Sequence, residues 1–151
     1  MQIRYFWSLK SMSMMTIVVG MALIIASCNS TPTEFPSDNG VYRSEEFQNG
    51  NTAKKVSYLR FFKDGRVKEM GSAADSDPEE IWRSLADDIS LEIPTATYTQ
   101  SGKTIEFDMD YRGTMVHYSI KSKNSGKIDV NWKSERVEES FSRTYEFIAV
   151  D

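Results

Sequence analysis

The sequence predicts an all-β domain with one short helix. Its strands form an antiparallel up-and-down meander, about eight in number, closing into a barrel. Three observations carry that prediction. The segment "KTIEFDMDYRG" alternates strictly: Ile105, Phe107, Met109 and Tyr111 fall between Thr104, Glu106, Asp108, Asp110 and Arg112, which means one dry and one wet face. Next, short glycine-containing turns recur between such segments and pair apolar residues with apolar residues. Finally, a long antiparallel sheet with one dry face must cover that face or close upon it, and closure also removes its exposed edges.

The elements follow in chain order. "GVYRSEE" opens the domain, then "KKVSYLRFFKDG" and "RVKEMGSA" meet at Asp64-Gly65. Two-residue and three-residue loops there give opposite pairings, so the register of this hairpin stays open. A helix is expected in "SDPEEIWRSLADD": Asp77 suits the N-cap, Pro78 the first helical position, and Glu80 completes a capping box. Ile81, Trp82, Leu85 and Ile89 share one stripe. Asp87 and Asp88 oppose the dipole and Pro94 forbids continuation, so the helix is short.

Three further turns fix a meander. A loop at Ser101-Gly102 sets Tyr98 opposite Ile105 and Ala96 opposite Phe107. A two-residue loop at Arg112-Gly113 sets Ile105 opposite Ile120, Phe107 opposite Tyr118, and Met109 opposite Val116; it also puts Asp108 opposite His117 on the wet face. A three-residue loop, Asn124-Ser125-Gly126, sets Ile120 opposite Val130 and Tyr118 opposite Trp132. "SFSRTYEFIAV" is the last strand. An incomplete barrel or a sandwich is the alternative architecture.

The Gly-x-aromatic opening "GVYRS", the consecutive meander and the closing "YEFI" resemble the lipocalin-like, or calycin, barrels. More narrowly, "YLRFFKDGRV…GKTIEF…YEFI" resembles the lipocalin-like domains of small envelope lipoproteins of unassigned function. The likeness spans most of residues 40 to 150. The chain departs from the lipocalin pattern in having Tyr42 where the family has tryptophan, and in carrying its helix mid-meander.

The N-terminus gives an address. Residues 1–27 have the layout of a secretory signal: Arg4 and Lys10 come first, a run from Met14 to Ala26 is almost wholly apolar, and small residues precede Cys28. The run, about 13 residues, is short for a membrane span, which needs roughly 20. Ile25-Ala26-Ser27-Cys28 resembles a bacterial lipobox. That resemblance implies acylation of Cys28, palmitate among the acyl groups, and cleavage before it. Stable anchoring takes at least two chains, which such lipoproteins carry. Residues 28–39, polar and with two prolines, are expected to be the lipidated start and a flexible tether; residues 40–151 are the barrel domain. With one cysteine, no disulfide can form within the chain. Asn29, in place of the aspartate that retains many such proteins at the inner membrane, favours the outer membrane facing the periplasm in a two-membrane organism.

The chemistry is sparse. The net charge of −4 with mixed signs offers no basic stripe, which argues against nucleic acid. The single histidine, His117, falls on the wet face, so no catalytic triad is expected, and no His/Cys cluster suggests a metal or cofactor. Glu106, Asp108 and Asp110 form an acidic row best read as solvated surface. Arg60 and Arg143 sit beside apolar neighbours and could face inward toward an anionic head group or outward toward an acid. The domain is therefore expected to be no enzyme. It binds a small apolar or aromatic ligand within the barrel, or serves as a structural or protein-interaction lipoprotein with a solidly packed barrel. In the first reading, Tyr98, Phe107, Met109, Tyr118, Val130, Trp132 and Tyr145 line the ligand. Ile81, Trp82 and Leu85 would then lie over one mouth as a lid.

Overall fold

A computed structural model describes residues 35–48, 50, 52–86 and 93–150. The expected signal segment, the lipobox-like Ile25-Ala26-Ser27-Cys28, most of the expected tether, and Asp87, Asp88 and Ile89 of the expected helix end lie outside the described residues. The elements are β1 (Gly40–Ser44), β2 (Lys55–Phe61), β3 (Arg66–Ala73), α1 (Pro78–Ala86), β4 (Thr95–Thr97), β5 (Thr99–Ser101), β6 (Thr104–Asp110), β7 (Met115–Ser122), β8 (Lys127–Ser134) and β9 (Ser140–Ala149). The nine strands form one antiparallel sheet in the order β4-β3-β2-β1-β9-β8-β7-β6-β5. Every neighbour in it but one is a sequence neighbour; the exception, β1 with β9, joins the two ends of the meander. β4 also lies against β6, so the sheet is a nearly closed barrel.

The strand count is nine because the segment across Tyr98 is shared between both edges. Residues 95–97 pair with β3 and residues 99–101 pair with β6. The bend between them closes the barrel.

Turn chemistry sets the registers. At Arg112-Gly113 both residues have positive φ (54° and 81°), the pattern of a type I′ hairpin, and Ile105↔Ile120, Phe107↔Tyr118 and Met109↔Val116 pair as expected. At the β7–β8 turn Ser125 and Gly126 both take positive φ, and Tyr118↔Trp132 and Ile120↔Val130 follow. The β2–β3 loop is the three-residue Lys63-Asp64-Gly65, closed by the amide of Phe62 donating to the carbonyl of Arg66 at 2.9 Å. Gly65 sits at φ 86°, and Phe61 pairs with Val67. One expected register is corrected. The β5–β6 loop is Gly102-Lys103, not Ser101-Gly102, so Gln100 lies opposite Ile105 and Thr99 opposite Glu106. Gly102, at φ 59°, takes the first loop position, where type II′ turns place glycine. The displacement is by an even number of residues, so Ala96 and Tyr98 keep their place on the inner face.

Two apolar layers result. The inner one fills the barrel with Tyr42, Leu59, Phe61, Val67, Ile105, Phe107, Met109, Tyr118, Ile120, Ile128, Val130 and Tyr145. The outer one lies under α1, where Ile81 and Leu85 cover Val41, Val56 and Tyr58. β2 is therefore buried on both faces from Val56 to Phe61. The side chain of Asp77 accepts from the amide of Glu79 at 2.9 Å, capping the helix as its sequence requires. The helix does not cross a mouth: it packs on the outer wall, because its stripe matches the outward residues of β1 and β2.

Candidate functional site

The near mouth is where the chain enters the domain. Phe35 packs against the inner core there, and its carbonyl accepts from Gln100 Nε2 at 2.8 Å. Beneath it an edge-to-face cluster joins Tyr42 to Phe61 (5.6 Å between centroids) and Phe61 to Tyr98 (5.4 Å), with Phe147 5.2 Å from Tyr42. The amide of Ser37 donates to the Tyr42 hydroxyl at 3.1 Å. This mouth is stoppered by the lead-in segment. Gly40 makes the passage fit: a Cβ there would stand 2.1 Å from the carbonyl oxygen of Ile148, which a side chain cannot do.

The far mouth is built differently. The three-residue β2–β3 loop turns Val67, Glu69 and Gly71 of β3 inward, opposite Phe61, Leu59 and Ser57. Glu69 thereby enters the barrel wall. Its Oε1 accepts from the Ser57 hydroxyl at 2.6 Å, and its Oε2 accepts from Tyr118 at 2.6 Å and from Tyr111. The two phenol oxygens lie 2.8 Å apart. Gly71 leaves open space beside this cluster. Burial, and then the nearby charge of Glu69, push the hydroxyls of Tyr111, Tyr118 and Tyr145 far above the ordinary phenol range. Tyr111 and Tyr118 keep their protons and donate them to Glu69.

An aromatic ladder rises from the core to this mouth. Phe107, Tyr118, Trp132 and Phe141 are successive cross-strand partners on β6, β7, β8 and β9. Their rings stack at 4.7, 6.5 and 5.8 Å, with interplanar angles of 22° or less. Phe107 is buried at 4 % exposure, whereas Phe141 is 41 % exposed. The guanidinium of Arg143 lies 3.8 Å over Phe47 and 5.3 Å over Trp132, walling the ladder on one side.

The seven residues read as ligand-lining all belong to the inner layer or pack against it. Phe107, Met109, Tyr118, Val130 and Tyr145 are buried within it, Tyr98 belongs to the near aromatic cluster, and Trp132 is partly buried along the ladder. The three residues read as a lid are on the outer wall, two of them buried and Trp82 half-buried. Trp82 stacks instead on Arg60, whose guanidinium carbon is 4.0 Å from its ring and whose Nη1 donates to its carbonyl at 2.6 Å. So Arg60 faces outward beneath α1, and Arg143 faces inward. His117 pairs with Asp108 at 2.8 Å on the exposed face, and Glu106, Asp108 and Asp110 are exposed with it.

Glu69 was not singled out from sequence. Its signal was the unresolved β2–β3 loop: only the three-residue choice turns this carboxylate toward tyrosines that need an acceptor. Among the described residues no cluster of His, Cys, Asp or Glu could hold a metal ion, and no helix is long and apolar enough to cross a membrane.

Fold and site together define an antiparallel, nearly closed up-and-down β-barrel with one stoppered mouth and one aromatic, carboxylate-floored mouth, consistent with a lipocalin-like domain. Comparisons with protein-family models, curated proteins and solved structures find no match.

Proposed function

We propose that this protein is a non-enzymatic lipoprotein of the bacterial cell envelope, anchored through acylated Cys28, whose packed barrel serves as a structural or recognition module. In a two-membrane organism its place is the outer membrane, facing the periplasm. The support for the anchor is the lipobox placed below a signal-like apolar run. The observation that favours a packed barrel over a ligand chamber is the middle of the interior. Leu59, Ile105, Met109, Ile120 and Val130 present no surface to a water-sized probe, and an apolar ligand needs many times that room.

A second reading has one observation in its favour. The ladder ends on the exposed Phe141, and Tyr118 within it donates to Glu69, two residues from the open space at Gly71. A small apolar or aromatic molecule would be met there, at the far mouth rather than inside the barrel.

Two substitutions test these readings. Cys28→Ala is expected to leave an uncleaved precursor without lipid label; normal maturation of that variant overturns the anchor. Phe107→Ala removes a ring from a filled core and is expected to cost about 3–5 kcal/mol in denaturant unfolding. If it is nearly neutral, the interior had room to spare and the packed reading fails.

A further inference from the structure

We propose that the near end of the barrel is a membrane-facing surface, whose lysine-bearing hairpin turns rest on the anionic head groups of the bilayer that holds Cys28. The inference rests on the anchored reading above and adds an orientation to it.

Three observations converge. The first is reach. The chain joins the barrel at Phe35, so only the segment from Cys28 to Phe35 separates lipid from domain. Fully extended, that segment spans at most about 25 Å. The near end therefore stays within that reach of the bilayer, whereas the far end is free to swing toward it or away from it.

The second is charge. The β5–β6 and β7–β8 turns lie side by side at the near end, tied by the amide of Ser122 donating to the carbonyl of Lys103 at 3.0 Å. They and their flanks expose Lys103, Lys121, Lys123 and Lys127. The acids facing these lysines are Asp129, which pairs with Lys123 at 2.7 Å, and Glu146, opposite Lys127 in the β8–β9 ladder. Among the described residues Lys103, Lys121 and Lys127 make no ion pair. The neighbouring β2–β3 turn is balanced, with Lys63 on Asp38 and Arg66 on Asp64. The far end carries the opposite sign in excess. Its loops and strand ends hold Glu45, Glu46, Asp75, Asp77, Asp110, Glu135, Glu138 and Glu139 against Lys54, Lys55, Arg112 and Arg136. A negative bilayer therefore attracts one end of the barrel and repels the other.

The third is shape. Between Phe35 and the β7–β8 turn lies a recess of about 150 Å³, lined by Tyr42, Ser122, Lys123, Ser125 and Lys127. It combines the Lys127 ammonium, and that of Lys123 beside its partner Asp129, with the hydroxyls of Tyr42, Ser122 and Ser125 next to Phe35, a lining suited to a lipid phosphate.

The acylated chain is reconstituted in vesicles with and without phosphatidylglycerol. Cys28 is consumed by lipid, so a thiol introduced by Asn124→Cys (near end) or Arg112→Cys (far end) takes a fluorophore alone. A quencher is carried on the lipid head groups. In anionic vesicles the label at 124 is expected to be quenched several-fold more than that at 112, and high salt should remove the difference. Lys121→Glu with Lys127→Glu should remove it too, whereas Lys133→Glu on the far half of β8 should not. Equal quenching at both positions, or a difference indifferent to phosphatidylglycerol and salt, overturns the contact. The intact mass of the purified chain separates the two proposals. An unacylated Cys28 overturns anchor and contact together, whereas an acylated chain without lipid-dependent quenching overturns the contact alone.

Discussion

At Glu69 a carboxylate is held by three hydroxyls, and the arrangement reads in one direction. Tyr111 and Tyr118 are kept protonated by burial beside that charge, so both donate to the same oxygen while Ser57 serves the other. Removing the acceptor should therefore cost more than removing one donor. Tyr118→Phe is expected to lose about 1.5–3 kcal/mol, the usual range for a hydrogen bond to a charged group. Glu69→Leu orphans three hydroxyls at once and should lose more. Urea unfolding of the two variants checks the order; the reverse order would mean that the tyrosines, not the carboxylate, organise the cluster. Period-two alternation turns Tyr118 and Tyr145 inward. It could not say what the Tyr118 hydroxyl meets, because Glu69 lies across the barrel, on a strand whose register a single loop residue decides.

Among the elements, those with strong local signals were legible and those set by distant contacts were not. The β6–β7 hairpin was readable in full. Its loop demands two positive φ values, and Arg112-Gly113 supplies them, with every inward pair apolar. At β5–β6 the loop position was mistaken by one residue, since Ser101-Gly102 and Gly102-Lys103 keep the same inward face and hydrophobic matching cannot tell them apart. The helix was found from its cap, but its seat was not. An amphipathic stripe says that a helix must cover something, and only the outward Val41, Val56 and Tyr58 say what. The cap makes a local prediction: Asp77→Ala should cost about 1 kcal/mol, seen as a lowered unfolding midpoint without a change of slope. If Asp77→Asn costs as much, the effect comes from something other than the accepted hydrogen bond.

For the whole molecule, the buried phenols make stability depend on pH in the alkaline range. Five tyrosines, at positions 42, 98, 111, 118 and 145, have phenol pKa values raised in the fold, chiefly by burial. The sign follows from proton binding. Below the ordinary phenol value of about 10 both folded and unfolded chains hold these protons. Above it the unfolded chain releases them first, so stability falls as pH rises from there toward the folded values. Phenolate absorbance and far-ultraviolet circular dichroism should then change together for these residues. Phenolate appearing well before the loss of strand signal would mean that the interior is reached by solvent in the native state.

The bend at Tyr98 has a consequence for neighbours. β4 and β5 are the two borders of the sheet, yet they are consecutive stretches of one segment, each three residues long. A strand from another molecule seeking to extend the sheet would find little backbone to pair with at either border. Under the anchored reading proposed above, molecules confined to a membrane meet one another at high local concentration, which is where strand-to-strand polymerisation starts. By spending a single kinked segment on both borders, this domain can crowd on a surface without offering its copies a template.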